Sequence, residues 1–255
     1  MARLDLTSLA DAGMEKAALS KGDLPRFLTH AALTGAFIFI GTLLSCLSAA
    51  WFYTDHLPVA KLLGAFTFSA ALLLVVLLGG ELFTGLNLVM GVSLYEGKVT
   101  PMQVLRVWLW AYIGNFLGIL VLSLLLAGSG ASRDMLSAYL ALTVPGRLTS
   151  PWYGLLFKAV LCNFLVCLGV FANFRVKSDV GKVVVIISVI STFVISGLEP
   201  SIADMIFFTL YALYHGPAQL LSMGWAMLWI TLGNVLGGAV LLGLPLWFVS
   251  TRKGD

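Results

Sequence analysis

The sequence predicts an all-α membrane protein of six transmembrane helices, arranged as two inverted three-helix repeats in which the second and fifth helices are broken. Three observations carry that reading. The 255 residues are 60% hydrophobic and only 11% charged, with a mean hydropathy of +0.99, whereas a soluble domain is about 25% charged. Six apolar runs reach the roughly 20 residues that a bilayer crossing needs. The second and fifth runs are overlong, and glycine, proline and acidic residues interrupt each near its middle.

In chain order, residues 1–26 are amphipathic and lack the apolar core of a signal peptide, so they predict a helix at the cytoplasmic surface. Apolar runs at 28–52, 62–95 and 102–126 make a first repeat over 27–126. Residues 127–151 read as an external loop. Runs at 152–174, 183–214 and 225–249 make a second repeat over 152–250, with 251–255 as a cytoplasmic tail. The whole chain, 1–255, is thus one membrane domain. Of the 15 basic residues, Arg3, Lys16, Lys21, Arg26, Lys98, Arg106, Arg175, Lys177, Lys182, Arg252 and Lys253 fall on one side of this topology. Only Lys61, Arg133, Arg147 and Lys158 fall on the other. The positive-inside rule then places both termini in the cytoplasm. Trp51, Tyr53, Trp152 and Trp247 near run ends fit an interfacial belt. The net charge of +3 does not suggest nucleic acid, because the basic residues flank the spans. Cys46, Cys162 and Cys167 lie in apolar runs without metal-ligand spacing, and read as buried, inert thiols.

The repeat is visible in the residues. G-G-E-L-F-T-G-L-N at 79–87 in the second run matches S-G-L-E-P-S-I-A-D at 196–204 in the fifth, and G-N-F-L-G at 114–118 matches G-N-V-L-G-G at 233–238. Three spans per half make the halves inverted. Broken helices at corresponding places in inverted halves point to a transport site, since a break inside a bilayer survives only where it lines a cavity or is buried in protein. Pro200 is expected at the first position of a half-helix, with a second half-helix starting after Gly85. Their free N–H groups would favour an anion. Glu81 and Glu199 read chiefly as structural acids accepting N–H bonds from the broken turns. Asn115, Asn163 and Asn234 read as bonds between helices or as lining of the path. Gly114, Gly118, Gly233, Gly237 and Gly238 form small-residue contact patterns.

In these stretches, with F-K-A-V-L-C-N-F-L-V-C-L at 157–168 and F-V-I-S-G-L-E-P-S-I-A-D-M at 193–205, the chain resembles the formate/nitrite transporter family over nearly its whole length. The resemblance implies an aquaporin-like protomer, a pore within each subunit, a homopentamer, and a bacterial inner-membrane location. It implies a substrate pathway of Leu82, Phe83, Thr84, Phe193, Glu199, Pro200, Asp204, Arg147, Lys158 and Asn163, without cofactor or metal. Leu82 and Phe193 resemble the family's two apolar constrictions, Thr84 the polar contact beside the broken second helix, and Arg147 and Lys158 its basic residues. The family's typical stretch has histidine directly after the glutamate and asparagine four residues beyond that histidine; here those places hold Pro200 and Asp204. The family histidine is thought to exchange a proton with substrate. Asp204 either replaces that donor or pairs within the protein. His30, His56 and His215 sit near span ends and read as surface residues. The expected function is passage of a small monovalent anion (formate, nitrite or hydrosulfide), with or as its conjugate acid. A neutral-solute or water channel is the alternative, although the twin Asn-Pro-Ala signature is absent. An intramembrane enzyme is disfavoured: there is no H-E-x-x-H and no G-x-S-x-G.

Overall fold

Proline, glycine and short polar side chains set the helix boundaries. The structure is a computed structural model and describes residues 6–251. Arg3, Arg252 and Lys253 of the charge argument, and the tail past residue 251, lie outside the described residues. Helix α1 (Thr7–Gly22) ends at Asp23, whose carboxylate accepts the Arg26 N–H at 3.1 Å and caps α2 (Leu24–Ala50). Helix α3 (Leu57–Leu78) stops at Gly79, whose φ of 76° suits only glycine. Helix α4 (Phe83–Tyr95) follows. Thr100 and Gln103 form a capping box for α5 (Pro101–Ser129). Then come α6 (Arg133–Leu148), α7 (Trp152–Arg175) and α8 (Asp179–Ile195). After Gly197 (φ 68°) the chain re-enters a helix at α9 (Ser201–His215). Helix α10 (Leu220–Val235) widens into a π segment (Leu236–Gly243) and continues as α11 (Leu244–Thr251). The widening precedes Pro245, which lacks the N–H and would crowd the carbonyl four residues back in a regular helix. Among the described residues every regular element is a helix, with no strand.

Among the described residues, five helical stretches are long and apolar enough to cross a membrane, which makes this a multi-pass membrane protein. The fifth expected run is divided between α8 and α9, of 17 and 15 residues, so neither half has that length alone. Helix α4, 13 residues long, lies at the centre of the molecule with most of its side chains buried.

Three expectations need correcting. The N-terminal segment is not a helix resting on a surface up to residue 26. It ends at Gly22 and buries Leu9, Ala10, Gly13 and Ala17, packing on α4 and α5. Lys98 pairs with Asp11, and Arg106 Nη2 donates to the Ala17 carbonyl at 3.0 Å. Residues 127–151 are not a plain loop, because they contain α6, which buries Leu136, Leu140 and Val144 on one face. The half-helices also start elsewhere. Phe83, not the residue after Gly85, begins α4, and Pro200 is the residue before α9 rather than its first.

One pair of contacts repeats between the halves. Asn115 Oδ1 accepts the Phe83 N–H at 3.0 Å, while its Nδ2 donates to the carbonyls of Ala31 and Glu81 at 2.8 and 2.9 Å. Asn234 Oδ1 accepts the Ser201 N–H at 2.8 Å, and its Nδ2 donates to Ala159 and Glu199 carbonyls at 2.9 and 3.1 Å. Each asparagine thus ties both ends of a break to a neighbouring helix. The close approach this demands is met at Gly118 and Gly237, where an added Cβ would collide with the carbonyls of Ala32 and Val160. Replacing either asparagine by leucine removes the partner of one N–H and one carbonyl at the break, Phe83 and Glu81 or Ser201 and Glu199, each costing about 1–3 kcal/mol. Asn115→Leu and Asn234→Leu are each expected to lose at least about 2 kcal/mol of stability, read as a lower melting temperature of detergent-purified protein. An unchanged melting temperature would remove the asparagines from this role.

Candidate functional site

Among the described residues, three voids share lining residues in series. On the α6 side is a cavity of about 440 Å³, bordered by Phe193, Arg147, Lys158, Glu199, Pro200 and Asp204. A void of about 20 Å³ lies next to it, walled by Phe68, Leu82, Thr84, Phe193, Pro200 and Ala203. A third cavity of about 220 Å³ opens on the α1 side and is bordered by Lys16, Gly80, Leu82, Gly85 and Asn173. Phe193 borders the first two, and Leu82 the last two. Both side chains are buried, at 2% and 4% exposure. Phe68 packs edge-on to Phe193 with ring centroids 5.5 Å apart. A space near 20 Å³ holds about one water molecule.

The backbone on the wall of the central void follows from the breaks. The first helical bonds of the half-helices run from Leu86 N–H to Leu82 O and from Asp204 N–H to Pro200 O. The preceding amides lack an intrahelical partner. Phe83 and Ser201 give theirs to the asparagines, which corrects the picture of wholly free N-termini. The amides of Thr84 and Gly85, and of Ile202 and Ala203, remain in the first turns, and these residues border the central void or the α1-side cavity.

The two glutamates are buried but do not accept the break's N–H groups. Glu81 pairs with Lys16 of α1 at 2.5 Å, and its own N–H donates to Thr34 Oγ1 at 2.8 Å. Glu199 Oε2 accepts from Arg147 Nε at 2.9 Å, and the same nitrogen lies 3.2 Å from Asp204 Oδ1. The Arg147 Nη1 donates to Thr143 O at 3.2 Å, and its guanidinium lies over the Phe207 ring, 4.3 Å from the centroid. Arg147 is thereby paired with both carboxylates. Lys158 of α7 and Lys61 of α3 also border this cavity. Three cations thus face two carboxylates, a net excess of one positive charge if all are ionised.

The structure separates the sequence-predicted residues into two groups. Leu82, Thr84, Phe193, Glu199, Pro200, Asp204, Arg147 and Lys158 line the series of voids, although Asp204 borders the α6-side cavity and not the central one. Phe83 and Asn163 line none of the three. Phe83 turns toward Tyr112, ring centroids 5.0 Å apart. Asn163 is fully buried, and its Nδ2 reaches Thr84 O, Asn87 Oδ1 and Asn234 O at 3.1, 2.9 and 2.6 Å. It bonds neighbouring helices and borders none of the three voids. His30, His56 and His215 are exposed, and the three cysteines are buried. Sequence reasoning missed Lys16, Lys61, Phe68 and Asn173. For Lys16 no local signal existed, since its partner lies 65 residues away.

The comparisons with known proteins agree with this geometry. The formate/nitrite transporter family model matches residues 5–248. The nitrite transporter NirC of Escherichia coli is 32% identical over 92% of this chain and 88% of its own length. Among solved structures, an FNT family ion channel superposes with a TM-score of 0.87 at 30% identity, covering 95% of this chain and 97% of that one. A pentameric formate channel with formate bound gives a TM-score of 0.75 at 26% identity, covering 89% and 97%. The matched length, the paired helix breaks and the line of voids between Leu82 and Phe193 together leave one assignment: the chain belongs to the formate/nitrite transporter family.

Proposed function

We propose that this protein passes a small monovalent anion of the formate, nitrite or hydrosulfide class through each subunit, moving it with a proton or as its conjugate acid. The observation that carries this reading is the narrow apolar centre, about 20 Å³ between Leu82 and Phe193, set between two larger cavities that each contain charged groups. Energetics decide the form that crosses. A bare ion in a low-dielectric site costs an idealised tens of kcal/mol. Protonating an anion whose acid has a pKa near 4 costs about 4 kcal/mol at pH 7. Neutralisation is the cheaper route through a dry segment. Hydrosulfide, with a conjugate acid close to neutrality, needs still less.

The wider arrangement in this proposal is one membrane domain with six crossings in two inverted repeats, α2 to α5 and α7 to α11, the second and fifth crossings being α3–α4 and α8–α9. The matched asparagine bonds support the repeat. Both termini face the cytoplasm of a bacterium, by the bias of basic residues. The chain forms a homopentamer in the inner membrane, a reading supported by the similarity to a pentameric formate channel. In the path, Lys158 and Lys61 draw the anion into the α6-side cavity, Phe193 and Leu82 exclude hydrated ions, and Thr84 with the free amides of α4 and α9 solvates what passes. A neutral-solute channel would need neither the excess cations nor the dry centre.

Purified protein in liposomes tests this with flux of formate, nitrite and hydrosulfide across a pH series. Uptake is expected to rise as the external pH falls, because the neutral acid becomes more abundant. A flat profile for all three would refute passage with a proton. Lys158→Gln is expected to raise the half-saturating anion concentration several-fold and to weaken its dependence on ionic strength, with the maximal rate little changed. Leu82→Ala combined with Phe193→Ala is expected to widen the centre and admit inorganic ions that the wild type rejects, read as conductance in planar bilayers.

A further inference from the structure

The cavities at the two ends of the path differ in kind as well as in size. The α6-side cavity, about 440 Å³, is far larger than a formate or nitrite ion fills. Its volume falls in the range of sites for larger organic ligands, about 300–1,000 Å³. Five aromatic rings border it, those of Tyr53, Phe68, Tyr139, Phe193 and Phe207. Tyr53 and Tyr139 meet edge to face with centroids 5.1 Å apart, and Phe68 meets Phe193 in the same way at 5.5 Å. Both tyrosines are half-buried, so part of each ring stays open to contact. The Phe207 ring is taken by the Arg147 guanidinium, at 4.3 Å.

The charges differ in the same sense. Arg147 is held by Glu199 and Asp204, but among the described residues Lys61 and Lys158 have no ion-pair partner. The α6-side wall thus offers two unpaired cations and open ring surface together. The α1-side cavity, about 220 Å³, has a single ring among the described residues, Phe174. Its cation, Lys16, is taken by Glu81, and Glu15 adds a carboxylate at its border. An anion with an aromatic body is therefore favoured at one end of the path, by charge and by ring contacts, and opposed at the other. The central void of about 20 Å³ has no room for an aromatic ring.

We propose that the α6-side cavity is a binding site for an aryl monoanion, an aromatic ring bearing one carboxylate or sulfonate, which seats there and blocks the path without passing through it. This goes beyond the transport reading above and rests on it for the meaning of the block. The anionic group is drawn by Lys61 and Lys158, and a single negative charge matches the single positive excess of the wall. The ring packs on Tyr53 and Tyr139 in the edge-on or offset arrangements that aromatic pairs prefer. A second negative charge on the ligand would meet Glu199 and Asp204, so aryl dianions bind less well. The blocker and the permeating anion need the same space, which makes the block competitive. Because the α1-side cavity lacks both the unpaired cations and the rings, the block acts from one face of the membrane only.

The test uses benzenesulfonate, whose fixed charge keeps it from crossing a bilayer as a neutral acid. Calorimetry on detergent-purified protein reads its binding directly. Formate uptake is followed in spheroplasts and in inverted membrane vesicles of cells producing the protein, against the same preparations without it. Binding heat should saturate, and added benzenesulfonate should inhibit formate uptake in one preparation and not in the other. More formate should relieve the inhibition, and benzenesulfonate itself should not accumulate. Tyr53→Leu combined with Tyr139→Leu should weaken the binding several-fold and leave formate uptake unchanged. Should that protein not fold, Lys61→Gln should weaken the binding, as added salt should in the wild type. Absence of binding heat, equal inhibition from both faces, or entry of benzenesulfonate into the vesicles would overturn the site while leaving anion transport standing. Protein that binds benzenesulfonate yet passes none of formate, nitrite and hydrosulfide would instead overturn the transport reading, and the block with it.

Discussion

The rest of the structure depends on two buried amide side chains. An interrupted helix inside a bilayer exposes backbone groups that lipid cannot satisfy. Asn115 and Asn234 satisfy them, each accepting an N–H from the start of a half-helix and donating to a carbonyl just before it. A carboxamide suits this task because it offers acceptor and donors a short distance apart without bringing a charge. With the breaks held, the chain directions of α4 and α9 are set, and Leu82, Thr84, Pro200 and Ala203 come to border a common void.

The acids at the breaks serve a different purpose. Glu81 and Glu199 reach cations from outside the transmembrane core, Lys16 on α1 and Arg147 on α6. These helices hold the two acids beside the breaks. Helix α1 is held further by Ser93 Oγ on the Ala10 carbonyl, at 3.0 Å. Glu81 and Glu199 are thus each paired with a cation, while the centre itself is apolar. Burial of a charge without such a partner would be prohibitive.

Much of this was legible in the sequence. Long apolar runs, the doubled Glu-to-Asn spacing and the paired G-N-x-L-G stretches point to the helices and to the two matched breaks, because small and polar residues in a greasy chain occur where backbones meet or break. Leu82 and Phe193 were identifiable only through family resemblance. Helix α6 was readable from Leu136, Leu140 and Val144 at helical spacing, a signal overshadowed by the polar residues around it. The partner of each glutamate was not readable. Lys16 and Arg147 lie 65 and 52 residues from theirs, and only tertiary packing brings them together. Asn163 looked like a lining residue because its type fits either role, and nothing local reveals that its amide faces Thr84 and Asn234 rather than the void.

The asparagine bonds also imply an order of synthesis. Each closes a loop of only 34 or 35 residues within its own half, so the first half can seal its break before the second has left the ribosome. The bonds of Asn163 to Thr84 and Asn87 span 79 and 76 residues and join the two halves. They must wait for α7 to be inserted. Each break can therefore close on nearby contacts before these longer-range bonds form, and a ribosome stalled after α5 should hold a nascent chain whose first break is already protected from lipid.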